Sequence, residues 1–168
     1  IRDTRSSRGL GDVYKRQPLN PTPFLDSLAS NGLFFSKFYI PWVSTSRSVF
    51  TMLTGIPDVA RRTSSRNPIV RDQYSILSDF IDYEKYYMIG GSASWANIRS
   101  LVSYNIKNMK LIEMEDIDRP RVDVWGVSDL DLFKEADKIL KDKKYSESPS
   151  FIIIPVSYTH LTLPTSKI

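Results

Sequence analysis

KYYMIGGSASWANIRSLVSY, residues 85–104, decides the fold class. KYYMI (85–89) is a short aromatic and apolar run stopped by Gly90-Gly91, which reads as a strand ending in a turn. SASWANIRSLVSY (92–104) then reads as a helix. Downstream, KLIEM (110–114) reads as a second short strand, and SFIII (150–154) is continuously apolar, as expected of a strand buried in a parallel sheet. Between them Ser128 and Asp131 carry the spacing of a capping box. Leu132, Ala136, Ile139 and Leu140 give the following helix, about 129–143, an apolar face. Strands alternating with helices predict an α/β sandwich, a mainly parallel sheet flanked by helices. No internal repeat or heptad pattern is present.

Working towards the amino end, SILSDFIDY (75–83) fits a helix, and residues 58–73 read as a polar loop carrying Arg61, Arg62, Arg66 and Arg71. A short helix is expected from about Ser46 to Thr54, closed by Gly55 and Pro57. LFFSKFYI (33–40) reads as an aromatic-rich strand. Before it, Thr22 can cap a helix that has Pro23 in its first turn, Phe24, Leu25 and Leu28 on one face, and Asn31-Gly32 at its end.

With 168 residues, 41% of them hydrophobic and 25% charged, the chain suits one modest α/β domain. No apolar run approaches the roughly 20 residues that span a bilayer. The absence of cysteine excludes disulfides, thiolate metal sites and cysteine nucleophiles. The net charge of +4 is confined to the ends: Arg2, Arg5, Arg8, Lys15 and Arg16 outweigh Asp3 and Asp12, and Lys167 stands alone. Residues 18–155 are electrically balanced, so a nucleic-acid partner is not expected.

The two ends break the pattern of the middle. Residues 1–17 have no periodicity and stop abruptly before the Thr22-Pro23 helix signal, while VSYTHLTLPTSKI (156–168) interrupts an apolar strand. Both resemble translated adapter sequence at the ends of metagenomic gene fragments; disordered tails are the alternative. The expected organisation is a native domain fragment over 18–155, flanked by non-native or disordered tails at 1–17 and 156–168.

The chemistry-bearing stretch is VSTSRSVFTMLTG, residues 43–55. It places a small hydroxyl residue, Thr45, at the start of a short helix. Unpaired N–H groups and the positive dipole end favour an anionic ester there. A hydroxyl held against a divalent metal becomes a nucleophile at neutral pH. Arg47 would balance charge on the ester oxygens. From the residues alone, an N-cap threonine and a surface arginine are the commoner reading of the pattern.

TPFLDSLASNGLFFSKFY (22–39) resembles the sulfatase-family opening T-P-N-L-D-x-L-A-x-x-G-x-x-F-x-x-F-Y, matching at Thr22, Pro23, Leu25, Asp26, Leu28, Ala29, Gly32, Phe35, Phe38 and Tyr39. Phe24 stands in place of the usual asparagine. Counting back from Leu53-Thr54-Gly55 puts Thr45 at the family's nucleophile position, and Thr45-Ser46-Arg47 is similar to the T-D-R of bacterial relatives of lipoteichoic acid synthase. Residues 87–104 resemble that branch's Y-Y-G-G-x-x-x-F-x-N, and Trp125-Gly126-Val127-Ser128-Asp129 with Leu132-Phe133 its W-G-x-x-D-x-x-L-F. The chain is thus identified as resembling the sulfatase and lipoteichoic-acid-synthase branch of the alkaline phosphatase superfamily.

The resemblance implies a partial alkaline-phosphatase-like sandwich and a hydrolase or transferase of sulfate or phosphate esters. Thr45 would be both nucleophile and metal ligand, and Arg47 the second catalytic residue. Trp95 and Asn97 would be the substrate-binding residues. The implied cofactor is a divalent ion, Mn²⁺, Mg²⁺, Ca²⁺ or Zn²⁺. The implied substrates are lipid-linked or glycan esters of the cell envelope, handled by a membrane-tethered enzyme whose catalytic domain lies outside the cytoplasm. The chain departs from the family in lacking C-x-P-S-R, an upstream acidic metal ligand and a downstream Asp-His pair. The fragment reading accounts for the missing ligands and predicts that the fragment alone is inactive. Rival readings are a true sulfatase of carbohydrate sulfates, opposed by threonine at the nucleophile position, and a non-catalytic α/β binding domain.

The remaining candidates have plainer readings. His160, the only histidine, lies in the suspected foreign tail without the family's preceding asparagine, and is set aside as a base. Asp129 reads as a first-turn helix charge, the four loop arginines as a solvated basic loop, and Trp125-Gly126 as a structural turn. Trp95 has core packing as its alternative.

Overall fold

A computed structural model describes residues 23–39, 44–57, 73–142 and 148–156. The two end segments, apart from Val156, lie outside the described residues, as do Thr22, His160 and the four loop arginines. The chain divides into two units, residues 1–43 with 159–168, and Ser44–Tyr158.

In the first unit, helix α1 spans Pro23–Asn31 with proline at its first position. Proline suits that position because the N–H it lacks would be unpaired there anyway. Ser30 Oγ and Asn31 Nδ2 donate to the carbonyls of Asp26 and Ser27, each at 2.8 Å, which closes the last turn. No residue of α1 is buried. The strand expected over 33–40 does not form across 33–39: the backbone is irregular, turns at Ser36 and Lys37, and stays exposed throughout. Aromatic content favours a strand only where a neighbour accepts its ladder bonds, and the described part of this unit contains none.

The second unit is built on a sheet of three parallel strands, β1 (Glu84–Met88), β2 (Met109–Ile112) and β3 (Ser150–Ile153), in the order β2-β1-β3. Tyr87 of the central strand stands opposite Leu111 on one side and Ile153 on the other. Successive side chains of a strand point to opposite faces, and β1 fills both. Tyr87 packs with Val49, Phe50 and Leu53 of α2 (Thr45–Thr54) and Leu101 and Val102 of α3 (Ile98–Asn105). Tyr86 and Met88 pack on the other face with Leu132 and Ala136 of α4 (Asp129–Asp142). Met88, Tyr87 and Leu132 are 0% exposed, and full burial of an apolar side chain such as Met88 or Leu132 contributes about 1.5–3 kcal/mol. The mainly parallel α/β sandwich is therefore present as expected.

Local expectations differ in instructive ways. The helix expected over 75–83 is a single 3-10 turn, Ile76–Ser78. Ser75 accepts the Leu77 N–H through its side chain, and i→i+3 bonds follow at Asp79 and Tyr83. Serine and aspartate side chains compete with helical bonding in this way. The single helix expected over 92–104 is split into a 3-10 turn at Trp95–Asn97 and α3, because Ala96 (φ 49°) and Asn97 (φ 56°) are left-handed. In α4 the Ser128 hydroxyl accepts the Asp131 N–H at 3.1 Å, as its spacing predicts. Leu140, however, is exposed. It lies roughly 80° round the helix from Leu132, at the rim of the buried face.

Candidate functional site

Parallel strands leave their carboxyl ends along one edge of a sheet, and the candidate site is built there. Helix α2 begins with Ser44 as N-cap and Thr45 as the first helical residue, one position earlier than expected. The cause is the Ser44 carbonyl, which accepts the Ser48 N–H at 2.9 Å and closes a turn that includes Thr45. Thr45 is therefore not the cap. It is exposed, and it lines a cavity of about 410 Å³. The strand-to-helix junction expected before it falls on residues 40–43, outside the described residues.

The segment after β1 forms the floor. Ile89, Gly91 and Ser92 reach the cavity, and Pro155 and Val156 approach from the end of β3. Val124 and Trp125 close it from a tight reversal in which the Val122 N–H donates to the Gly126 carbonyl at 2.8 Å. This reversal docks directly on the turn after β1, where the Val127 N–H donates to the Gly90 carbonyl at 2.9 Å. Only glycine permits the approach: a Cβ on Gly91 would meet the Trp125 carbonyl oxygen at 2.6 Å.

Trp95 and Trp125 meet edge to face at the cavity, with ring centroids 6.2 Å apart and planes at 85°. Both are about half exposed, at 46% and 48%, which rules out core packing as the account of Trp95. Glu113 fixes the turn that carries Trp95. Its carboxylate accepts the Ala93 N–H at 2.9 Å and pairs with the Arg99 guanidinium. Burial pushes this carboxyl up, but the Ala93 N–H and Arg99 outweigh it and hold the group below the usual glutamate range.

The structure thus brings Thr45 and Trp95 together and leaves two expected site residues out of the cavity wall. Arg47 is 7% exposed, so a solvated surface charge no longer describes it. Asn97 is exposed at the left-handed start of α3. Trp125 and Ser92 line the cavity although sequence reasoning assigned them no part in the site. The signal for Trp125 was the pairing of a tryptophan with glycine in a polar loop, with Gly90-Gly91 as the surface it meets. No charged side chain lines the cavity among the described residues. No group of three or more His, Asp or Glu able to hold a metal ion occurs among them either. Thr45 offers one oxygen, and the described donor set does not fit a divalent cation, which takes about four ligands for zinc and about six or more for magnesium or calcium.

The profile of the family described as Sulfatase matches residues 7–167. Two solved structures share the fold. One is a protein of the alkaline phosphatase superfamily from Vibrio parahaemolyticus, with a TM-score of 0.71, 24% identity, and coverage of 89% of this chain and 38% of that one. The other is the lipoteichoic acid synthase LtaP from Listeria monocytogenes, with a TM-score of 0.72, 17% identity, and coverage of 84% and 35%. The chain therefore spans little more than a third of the length of either structure.

Proposed function

The chain belongs to the sulfatase family, and from that premise we propose that it forms part of a metal-dependent hydrolase or phosphotransferase of sulfate or phosphate esters, with Thr45 as nucleophile. The observation that supports this best is Thr45 itself, an exposed residue at the start of a ten-residue helix that lines the cavity at the sheet's carboxyl edge. Helix N-termini favour anions, so an ester phosphate would be held where Thr45 Oγ can reach it.

In the proposed step, Oγ forms a bond to phosphorus while the bond from phosphorus to the leaving alcohol breaks. The hydroxyl proton ends on that alcohol. Water or an acceptor alcohol then cleaves the phosphothreonine and restores the Thr45 hydroxyl. Oxidation of a secondary alcohol gives a ketone, not the aldehyde of formylglycine, which favours phosphodiester chemistry over classical sulfatase maturation. Arg47, two residues along α2, is proposed to balance charge behind the ester, and Trp95 and Asn97 to contact substrate. A divalent ion, Mn²⁺, Mg²⁺, Ca²⁺ or Zn²⁺, would take Thr45 Oγ as one donor. The 168-residue chain spans little more than a third of either solved structure, and alone it is proposed to be inactive.

Lipid-linked or glycan esters of the cell envelope, and a membrane-tethered enzyme acting outside the cytoplasm, are the substrates and location suggested by likeness to a lipoteichoic acid synthase. No described helix is long and apolar enough to cross a membrane. The test is turnover of bis-p-nitrophenyl phosphate and p-nitrophenyl sulfate by the whole gene product. Thr45→Ala should lower kcat by about a thousandfold or more, Thr45→Ser should retain part of it, and phosphate should be trapped on Thr45 in the wild type. Wild-type turnover by Thr45→Ala would remove Thr45 from the reaction.

A further inference from the structure

We infer that the Trp95–Trp125 corner is a carbohydrate-binding subsite, and that Trp125 selects a neutral pyranose ring as the group attached to the ester. The inference rests on the reading of Thr45 as the reacting residue, since it assigns the far side of the same cavity. Two indoles at 85° cannot sandwich a flat ligand; they offer one aromatic face and one adjoining edge. A pyranose ring matches that shape. Its axial C–H bonds carry partial positive charge and settle on the electron-rich face of an indole, while its hydroxyl rim stays free to hydrogen bond.

The rest of the wall fits the same chemistry. Ile89, Val124 and Val156 are apolar, Ser92 and Thr45 contribute hydroxyls, and no charged side chain appears among the described lining residues. Among the described lining residues a second phosphate or a nucleotide on the leaving group would find no cation. The volume of about 410 Å³ lies in the range of small-molecule sites, about 300–1,000 Å³. Neither indole N–H is committed to a hydrogen bond among the described residues, so both remain available as donors.

The corner is also held rigid. The Trp125 N–H donates to Asp123 Oδ1 at 2.7 Å, and its carbonyl sits against Gly91. The Ala93 N–H is fixed by Glu113 two residues before Trp95. Half-exposed aromatic side chains anchored by backbone contacts at both ends are preorganised, which lowers the ordering cost of binding.

The experiment uses the full chain and needs no turnover. Methyl β-D-glucopyranoside and maltose are titrated while the indole N–H resonances of Trp95 and Trp125 are followed, with n-hexanol and p-nitrophenol as competing probes. Both resonances should shift with the sugars. Trp125→Ala should weaken the affinity roughly tenfold and Trp125→Phe by less. Unmoved resonances at high sugar concentration overturn the subsite, as does equal sugar affinity in Trp125→Ala with an intact circular dichroism spectrum. Preference for hexanol or p-nitrophenol replaces the sugar with a lipid or aryl group and equally overturns it. Tryptophan-dependent sugar binding alongside full ester turnover by Thr45→Ala would instead remove the nucleophile reading and leave the subsite standing.

Discussion

Gly126 lies so close to Gly90 that a Cβ built on it would meet the Gly90 carbonyl oxygen at 1.8 Å. Gly126 also sits at φ +115°, which side-chain-bearing residues rarely adopt. The two constraints act together, and they hold the Trp125 reversal on the turn after β1. Gly55, the C-cap of α2, shares the positive φ (+72°) but has nothing within 4 Å of its missing Cβ. Gly126→Ala should therefore destabilise the chain by about 3 kcal/mol or more, whereas Gly55→Ala should cost only about 1 kcal/mol. Urea unfolding midpoints of the two variants measure this. Equal costs would mean that the 90–126 contact is looser than described.

Glu113 supplies a pH dependence whose sign is fixed by its environment. Its folded-state carboxyl lies below the ordinary value of 4.5. The stabilisation it gives is therefore fully present above that value and is lost as pH falls through the lowered one. Glu113→Gln should lose stability relative to wild type at neutral pH, and the difference should shrink as the solution is acidified below 4.5. Denaturant unfolding of both proteins at a series of pH values tests it, and a difference that grows on acidification reverses the assignment.

The sequence exposed the parts of the fold that depend on local pattern. SFIII does form a strand, though a half-buried one at an edge of the described sheet and not the fully buried one its apolar run suggested. KYYMI forms β1 just short of Gly90-Gly91, and Ser128 marked the start of α4 to the residue. Thr45 could be placed at a helix start from its neighbours. What stayed hidden depends on contacts between distant segments. The site role of Trp125 exists because Gly90, Gly91 and Gly126 let two backbones touch, a relationship no window of sequence contains. The left-handed pair Ala96-Asn97 was equally invisible, since alanine in a helical pattern signals continuation. The aromatic run at 33–39 misled in the opposite direction: its composition is that of a strand, but strand formation is a property of pairs.

The buried face of α4 gives a test of which apolar residues carry the fold. Leu132 is 0% exposed against Met88 and its neighbours, whereas Leu140 is 51% exposed. Leu132→Ala should cost about 2–5 kcal/mol, by lost transfer energy and the cavity left behind. Leu140→Ala should fall within about 0.5 kcal/mol of wild type. Thermal or urea unfolding of the two variants separates them. A large loss at Leu140 would show that its side chain packs against something in solution.

Tyr87 poses the opposite question, because its phenol is buried without reward. The ring is 0% exposed in the cluster formed with α2 and α3, and the hydroxyl has no hydrogen-bond partner among the described residues. Burial alone pushes its pKa up to about 12, so the group stays neutral across the physiological range. An unpaired buried hydroxyl costs its desolvation without the return of a bond, about 1–3 kcal/mol. Tyr87→Phe keeps the ring, deletes only the oxygen, and should raise stability by about 1 kcal/mol. The same argument predicts that Tyr87→Leu, which also removes ring contacts in the middle of β1, should lose more than the oxygen ever cost. A destabilised Tyr87→Phe, read as a lower unfolding midpoint at unchanged denaturant slope, would mean that the hydroxyl is paired in solution, and the α2 face of the sheet would then have to hold a polar partner deep in its core.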